Sequence, residues 1–405
     1  MRKLLLIAVT AAMACWIGCR DNRREDTFDK DIHEWLFATV DSLEKCADSL
    51  LTASKGIGTA AEVQRIFTRC RKQYKRLEWF SEYYAPATSR SLNGPPLPEI
   101  EIEENKKADP AGLQVIEELL YPYDTANVRL LDKEVRTFIS TLIPLRHTVE
   151  NTRFDTAHVF DACKQELTRI ISLGITGFDT PLCGEGITEA AVSLQGIKEI
   201  WGMMAVPAEV LNKTDSAMAV CRKKEDFDYA GFIVRHINPL SVELTNWFNR
   251  EGLTQLKYPG ALNYSAATMF DSAAFNAGFF IHAAELEPTP EKVALGKALF
   301  SNEQLAGNGK RSCGSCHQQD KAFTDGLARN TALNGEGEVA RNTPTLLYAG
   351  LQQSQFYDMR SPTLENQVMD VLHNTNEMHS SPEAVAAWLN RTPGMKDTFR
   401  RVFQG

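Results

Sequence analysis

The sequence predicts an all-α protein in two parts, an antiparallel helical bundle followed by a smaller helical domain. Three observations predict it. Apolar residues recur at spacings of three and four through 28–257, which gathers them on one face of a helix. No run alternates apolar and polar residues with the period of two that a half-buried strand needs. In the last third, Thr289-Pro290-Glu291 and Ser381-Pro382-Glu383 each set a capping hydroxyl ahead of a proline and an acid, a helix-start pattern. The chain has 405 residues and is 43% hydrophobic, enough for ordinary cores. At roughly 150 residues per domain, that length suits two or three domains. The net charge of −8 argues against nucleic acid as a partner.

Residues 1–19 read as an export signal. Arg2 and Lys3 precede an apolar run, Leu4 to Met13, that is too short to span a bilayer. Trp16-Ile17-Gly18-Cys19 resembles the end of a lipoprotein signal, with Cys19 as the lipidated residue, although Trp16 replaces the usual aliphatic residue and Cys15 lies close by. Acylation would hold the body at a membrane surface by its anchor alone. Plain cleavage and release is the alternative. Residues 20–27 are charged and read as a tether.

Five apolar stripes then define the bundle. They are Ile32, Leu36, Val40, Leu43, Ala47 and Leu50; Val63, Ile66, Cys70, Tyr74 and Leu77; Leu131, Val135, Phe138, Leu142 and Leu145; Val159, Cys163, Leu167 and Ile170; Ile187, Ala191, Leu194, Ile197 and Trp201. Pro144 is expected to kink or end the third. A Pro/Gly loop at 91–98 and a polar stretch at 99–109 interrupt the bundle. Residues 258–286 look like a connector leading into the second domain, 258–405.

Gly112-Leu113-Gln114-Val115-Ile116-Glu117, with the preceding 78–98 segment, resembles the imelysin-like family of exported helical bundles. The likeness covers 28–257. That family has a histidine where Gln114 stands, which puts a metal-binding or peptidase role in doubt. The plainer reading makes Glu117 and Glu118 surface charges of an amphipathic helix.

Cys313, Cys316 and His317 in RSCGSCH (311–317) are the strongest chemical signal. Two thiols one helical turn apart suit thioether bonds to a porphyrin, and the following histidine suits the axial iron position. Zinc would need a second ligand pair, and there is no second C-x-x-C. The reading is one covalently bound haem c. Of the nine cysteines, two lie in the signal and two in this motif. Cys46, Cys70, Cys163, Cys183 and Cys221 remain, read as buried thiols with one or two disulfides as the alternative.

From 293 to 378 the chain resembles the bacterial di-haem cytochrome c peroxidase and MauG family. The motifs are LGKALF (295–300), GNGKRSCGSCH (307–317), KAFTDGL (321–327), RNTPTLLYAG (341–350), QFYDMR (355–360), LENQ (364–367) and NEM (376–378). The resemblance implies the peroxidatic, cytochrome c-like haem domain, with thioethers at Cys313 and Cys316 and His317 as proximal ligand. It implies Glu377 and Gln367 as the catalytic pair above the haem, and Asn342 as a calcium ligand. Tyr357 stands where the family has a tryptophan on the electron path. Asp358-Met359-Arg360 replaces Asp-Gly-Arg.

The chemistry agrees with that assignment. Breaking a peroxide O–O bond needs a group that carries one proton between the two oxygens, which a carboxylate does, while an amide orients the peroxide. On spacing alone, Glu377 and Gln367 are a loop acid and a helix-surface amide. No histidine lies between 318 and 339, where many relatives carry a blocking ligand, so a five-coordinate, high-spin ferric iron is expected. His373, His379, Met359, Met369 and Met378 are the alternative sixth ligands. The family's second C-x-x-C-H and second haem domain are not in this sequence.

The expected function is therefore a periplasmic, lipid-anchored peroxidase that reduces hydrogen peroxide with electrons from a small cytochrome c. A homodimer is a candidate assembly. A mono-haem electron carrier without peroxidase activity, or a lipid-anchored binding protein that uses the bundle, are the alternatives.

Overall fold

The computed structural model describes residues 2–55, 58–101, 106–223, 226–253, 256, 260–281, 283–352, 354–356 and 358–403, with the side chains of 2–25, 99–101 and 106–108 left aside. The fold is all-α, and it divides into two compact units. The first takes Met1–Pro98, Asp109–Tyr258 and Leu262–Phe275; the second takes Glu99–Ala108, Pro259–Ala261 and Asn276–Gly405. About half of the connector read from sequence thus groups with the bundle.

The first unit is built from α1 (Arg2–Ala53), α2 (Ala60–Tyr84) and α3 (Pro86–Asn93). A short antiparallel ribbon, β1 (Glu99–Glu101) with β2 (Lys106–Ala108), follows in chain order but belongs to the second unit. Three residues per strand are too few for a period-two pattern to register in sequence. The bundle resumes with α4 (Leu113–Leu120), α5 (Val128–Asn151), α6 (Thr156–Arg169), α7 (Gly186–Met203) and α8 (Ala208–Cys221). The one-turn α9 (Tyr229–Phe232) and α10 (Asn238–Arg250) complete it.

The helices start where local chemistry starts them. The Thr59 hydroxyl accepts from the Glu62 amide, and Asp155 accepts from the amides of Ala157 and His158, so donors left over at each first turn are satisfied. One sequence expectation is corrected here. The backbone of α1 is helical across 20–27, where a tether was expected; no glycine or proline interrupts those residues. Pro144 does not end α5, which runs on to Asn151.

The five stripes converge on one core. Leu36, Val40, Leu43, Tyr74, Leu77, Val135, Phe138, Leu194, Ile197 and Trp201 are all buried in a cluster confined to 28–248. Ile66 is only half-buried; Phe67 takes its place. Burying each such side chain contributes about 1.5–3 kcal/mol, so this face supplies most of the helix stability. α7 approaches α2 closely enough that a Cβ at Gly196 would lie 2.1 Å from the Arg76 carbonyl oxygen, so only glycine fits there.

The core also holds charge. Buried Arg71 makes a bidentate pair with Glu189 at 2.7 and 2.9 Å. Lys75 bridges Glu78 (2.7 Å) and Asp179 (2.5 Å), and Arg169 reaches Glu78 and Glu82. Glu117 belongs to this interior rather than to the surface: its Oε1 accepts from the amides of Leu182 (3.1 Å) and Cys183 (2.6 Å). Glu118 is exposed, as the plainer reading had it. Gln114 is buried and donates to the Asn93 carbonyl at 2.9 Å.

The second unit carries α11 (Pro290–Phe300), α12 (Cys313–Cys316), α13 (Leu364–His373), α14 (Pro382–Arg391) and α15 (Met395–Phe403). Thr289 and Ser381 cap α11 and α14 as the sequence suggested. Long turns join these helices. Among the described residues of 276–405, only Leu295, Ala306, Ala332, Met378 and Val402 are buried apolar side chains.

Candidate haem site

α12 is a single helical turn built to hold two thiols. The Ser312 amide donates to the Ser315 hydroxyl at 3.0 Å, closing a reciprocal capping box. The His317 amide donates to the Cys313 carbonyl at 2.9 Å, which ends the turn on the histidine. Cys313 and Cys316 are half-buried and are not joined to each other. Burial pushes both thiols above their ordinary range, so both are neutral.

The imidazole of His317 is fixed from behind. Its Nδ1 lies 3.0 Å from the Phe323 carbonyl oxygen. A carbonyl only accepts, so Nδ1 carries the proton and Nε2 keeps its lone pair for a metal ion. The carbonyl is presented by a strained loop: Ala322 and Phe323 have φ of +54° and +58°, a conformation rare outside glycine. The loop is held by three bonds. Phe323 N donates to Gln318 O (2.8 Å), Gln318 N donates to Thr324 O (3.1 Å), and the Thr345 hydroxyl donates to Ala322 O (2.6 Å).

Asp325 anchors the same loop. It is buried, and its Oδ2 accepts from Asn330 and Thr343, each at 2.7 Å, while Oδ1 accepts from the Leu327 amide at 2.9 Å. Burial opposes its charge, yet these bonds hold the carboxyl below its ordinary range. Asn330 also reaches Cys316 Sγ at 3.5 Å. Asp325, Thr343, Thr345 and the Phe323 carbonyl were missed as site residues in the sequence, though all lie within the quoted KAFTDGL and RNTPTLLYAG motifs.

Glu377 sits on the turn after α13. Its Oε1 accepts from Asn374 at 2.7 Å. The turn is tied down on both sides: Leu333 N donates to Asn376 O and Gly307 N donates to Met378 O, each at 2.8 Å. Gly307 must be glycine, since a Cβ there would lie 2.0 Å from the His379 carbonyl oxygen. Arg311, two residues ahead of Cys313, donates to the carbonyls of Asn376 (3.2 Å), Glu377 (3.5 Å) and Thr331 (2.8 Å). One guanidinium therefore links the C-x-x-C-H segment to the Glu377 turn. Burial pushes the Glu377 carboxyl above its ordinary range, and its attraction to the neighbouring His317 ring and Arg311 guanidinium pulls it partly back. Glu377 in turn raises the Cys316 thiol. His317, Cys316, Arg311 and Glu377 thus lie within electrostatic reach of one another.

The other sequence candidates are placed less tightly. Gln367 is half-buried on α13. Asn342 is exposed, and among the described residues no group of three or more His, Cys, Asp or Glu side chains could hold a metal ion. Tyr357 and the side chain of Cys19 lie outside the described residues. His373 is exposed and its Nδ1 lies 2.7 Å from the Met369 carbonyl; His379 and Met369 are exposed, Met359 half-buried and Met378 buried. Met359 has φ +55°, the left-handed conformation that the glycine of Asp-Gly-Arg would adopt without strain.

These residues fit a c-type haem. Thiols one turn apart and an imidazole with Nε2 available are the donor set that haem attachment uses. The apolar side chains fit as well. Leu327, Leu347, Tyr348, Leu364, Val368 and Met369 are exposed, while few apolar side chains of 276–405 are buried. A porphyrin's apolar faces offer such side chains a surface to pack on.

Comparison with known proteins agrees with the geometry. Residues 290–405 match the family described as di-haem cytochrome c peroxidase. The chain is 36% identical over 115 residues to the methylamine utilization protein MauG of Methylorubrum extorquens, covering 28% of this chain and 32% of that protein. It is 33% identical over 109 residues to cytochrome c551 peroxidase of Pseudomonas aeruginosa (27% and 31%). It is 33% identical over 121 residues to cytochrome c peroxidase Ccp of Escherichia coli (29% and 26%). The chain thus spans between a quarter and a third of the length of these relatives. The family match begins at residue 290, later than the boundary near 258 read from sequence, and does not reach the bundle. Among the described residues, no helix is long and apolar enough to cross a membrane.

Proposed function

We propose that 290–405 forms a c-type haem peroxidase site that reduces hydrogen peroxide with electrons from a small cytochrome c. The observation that carries this is the joint placement of His317, with its tautomer set by Phe323, and Glu377, a carboxyl of raised proton affinity within electrostatic reach. Cys313, Cys316 and His317 would hold one haem, whose iron supplies one-electron chemistry and a coordination position for a peroxide oxygen.

The chain's own residues supply the rest. Glu377 takes the proton from one peroxide oxygen and returns it to the other, which leaves as water. A carboxyl with raised affinity for its proton suits both halves of that transfer. Gln367 donates its amide N–H to orient the peroxide. Arg311 fixes the Glu377 turn. Tyr357, which stands in the sequence where the family has a tryptophan, would relay the incoming electrons, and Asn342 would contribute to a calcium site.

The 28–257 bundle is an imelysin-like domain, without the family's histidine at Gln114. We place the protein in the periplasm, lipidated at Cys19 and held to the membrane by that anchor, with a homodimer as its candidate assembly. Peroxide turnover by haem-loaded Glu377→Gln tests the site. The expected loss is about 10²–10⁴-fold, with the haem spectrum retained. Unchanged turnover in the variant would remove Glu377 from the mechanism, and no turnover by the parent protein would favour an electron carrier.

A further inference from the structure

We propose, on the reading that Cys313, Cys316 and His317 hold a haem, that Asp325 is a buried anion that lowers the reduction potential of the iron, acting through Asn330 and the Cys316 sulfur. It touches neither the iron nor a peroxide, so its part is to place charge rather than to react.

The geometry is a relay. Asn330 Nδ2 donates to Asp325 Oδ2 at 2.7 Å and reaches Cys316 Sγ at 3.5 Å. An amide nitrogen carries two hydrogens, one for each acceptor. A single atom therefore stands between the carboxylate and the sulfur that would bond the porphyrin edge. Asp325 is only 2% exposed. Its other donors are the Thr343 hydroxyl at 2.7 Å and the Leu327 amide at 2.9 Å. Three donors shared over both oxygens favour the ionised form, against the cost of burial.

Among the described residues, no cation pairs with this carboxylate. The Lys321 ammonium bonds the Asp325 backbone carbonyl instead, at 3.0 Å, and Lys321 is exposed. After burial, the charges acting on the Cys316 thiol include Arg311, which lowers it, and Asp325 and Glu377, which raise it. Glu377 holds its proton more tightly than usual, whereas Asp325 releases its own more readily, so Asp325 is the lasting negative charge of the two. Charge in a poorly screened interior acts over several bonds' distance. A negative charge at the porphyrin edge favours the ferric over the less positive ferrous form. It thereby lowers the potential and keeps the iron in the oxidised form that a peroxide meets, while the hydrogen-bond donors moderate the effect.

The test is the midpoint potential of the full haem-loaded chain, read by spectroelectrochemical titration. Asp325→Asn should shift it in the positive direction. Asn330→Ala keeps the anion and removes its bridging donor, so the shift should be negative. Thr343→Val should act as Asn330→Ala does, more weakly. General loosening of the loop would move all three variants the same way, so opposite signs separate charge from structure. Shifts of one sign in all three, or parent and Asp325→Asn at equal potential with haem retained, would overturn this proposal alone. Asn330→Ala decides the matter even where Asp325→Asn holds no haem, since an unchanged or positive value there overturns it as well. A parent chain that binds no haem would overturn it together with the haem reading. Peroxide turnover enters none of these outcomes.

Discussion

The Nδ1 atom of His317 lies 3.0 Å from the carbonyl oxygen of Phe323, and that contact decides which nitrogen of the ring is available to a metal. The bond is made by backbone that only a strained loop can present, with two successive non-glycine residues in the left-handed region. Such strain persists where surrounding bonds over-determine it, here through Thr345, Gln318 and the Asp325 cluster.

The first prediction is stoichiometric. Protein matured in a host that assembles c-type cytochromes should carry one haem per chain, retained through acid–acetone extraction and visible as a mass increment. Cys313→Ala with Cys316→Ala should abolish the covalent bond, and His317→Ala should change the axial ligation. Colourless parent protein from such a host would remove the basis of the functional reading.

A second prediction concerns Arg311. Three carbonyls converge on its guanidinium, two of them on the Glu377 turn. Arg311→Leu should loosen that turn without touching the thiols. Hydrogen exchange should speed up at the amides of Leu333 and Gly307, whose acceptors are the Asn376 and Met378 carbonyls. Bundle amides should be unaffected. Equal exchange in variant and parent would mean that the other ties suffice.

Much of this was legible in the sequence. The bundle stripes, the caps at Thr289 and Ser381 and the thiol pair follow from local periodicity or motif, while Glu377 was singled out only through the family resemblance. The groups that hold the site's turns and loop in place were not legible. Arg311 acts through residues 65 and 66 positions away, and Asp325 gathers donors from Asn330 and Thr343, pairings that only the fold creates. Glu117 was misjudged for the same reason, because a carboxylate on a helix is a surface charge until a remote loop supplies two amides to it.

The third prediction follows from the interior pair Arg71 and Glu189. Removing one partner strands a buried charge, so Arg71→Met should destabilise the bundle by about 3–5 kcal/mol in urea unfolding. The double change Arg71→Met with Glu189→Leu should recover most of that loss, because no buried charge is then left alone. A double variant as unstable as the single one would show that Asn93 and the neighbouring charges, not the pair itself, set the cost.

The last prediction is a pH dependence in the same unit. Burial pushes the Asp161 carboxyl up to about 7 from an ordinary value of 3.8, against the pull of His158 and Lys164. The folded chain then holds this proton over a range in which the unfolded chain has released it. Between pH 3.8 and about 7 the folded state binds more protons, so the contribution of Asp161 falls as pH rises through that window. Its full extent is roughly 4 kcal/mol as an upper bound. Asp161→Asn keeps the shape and removes the titration. The variant should gain on the parent as pH rises from 4 to 8, read as the difference between their melting temperatures at the two ends. A difference that stays constant across the window would mean that Asp161 remains charged in the folded protein, with His158 and Lys164 outweighing its burial.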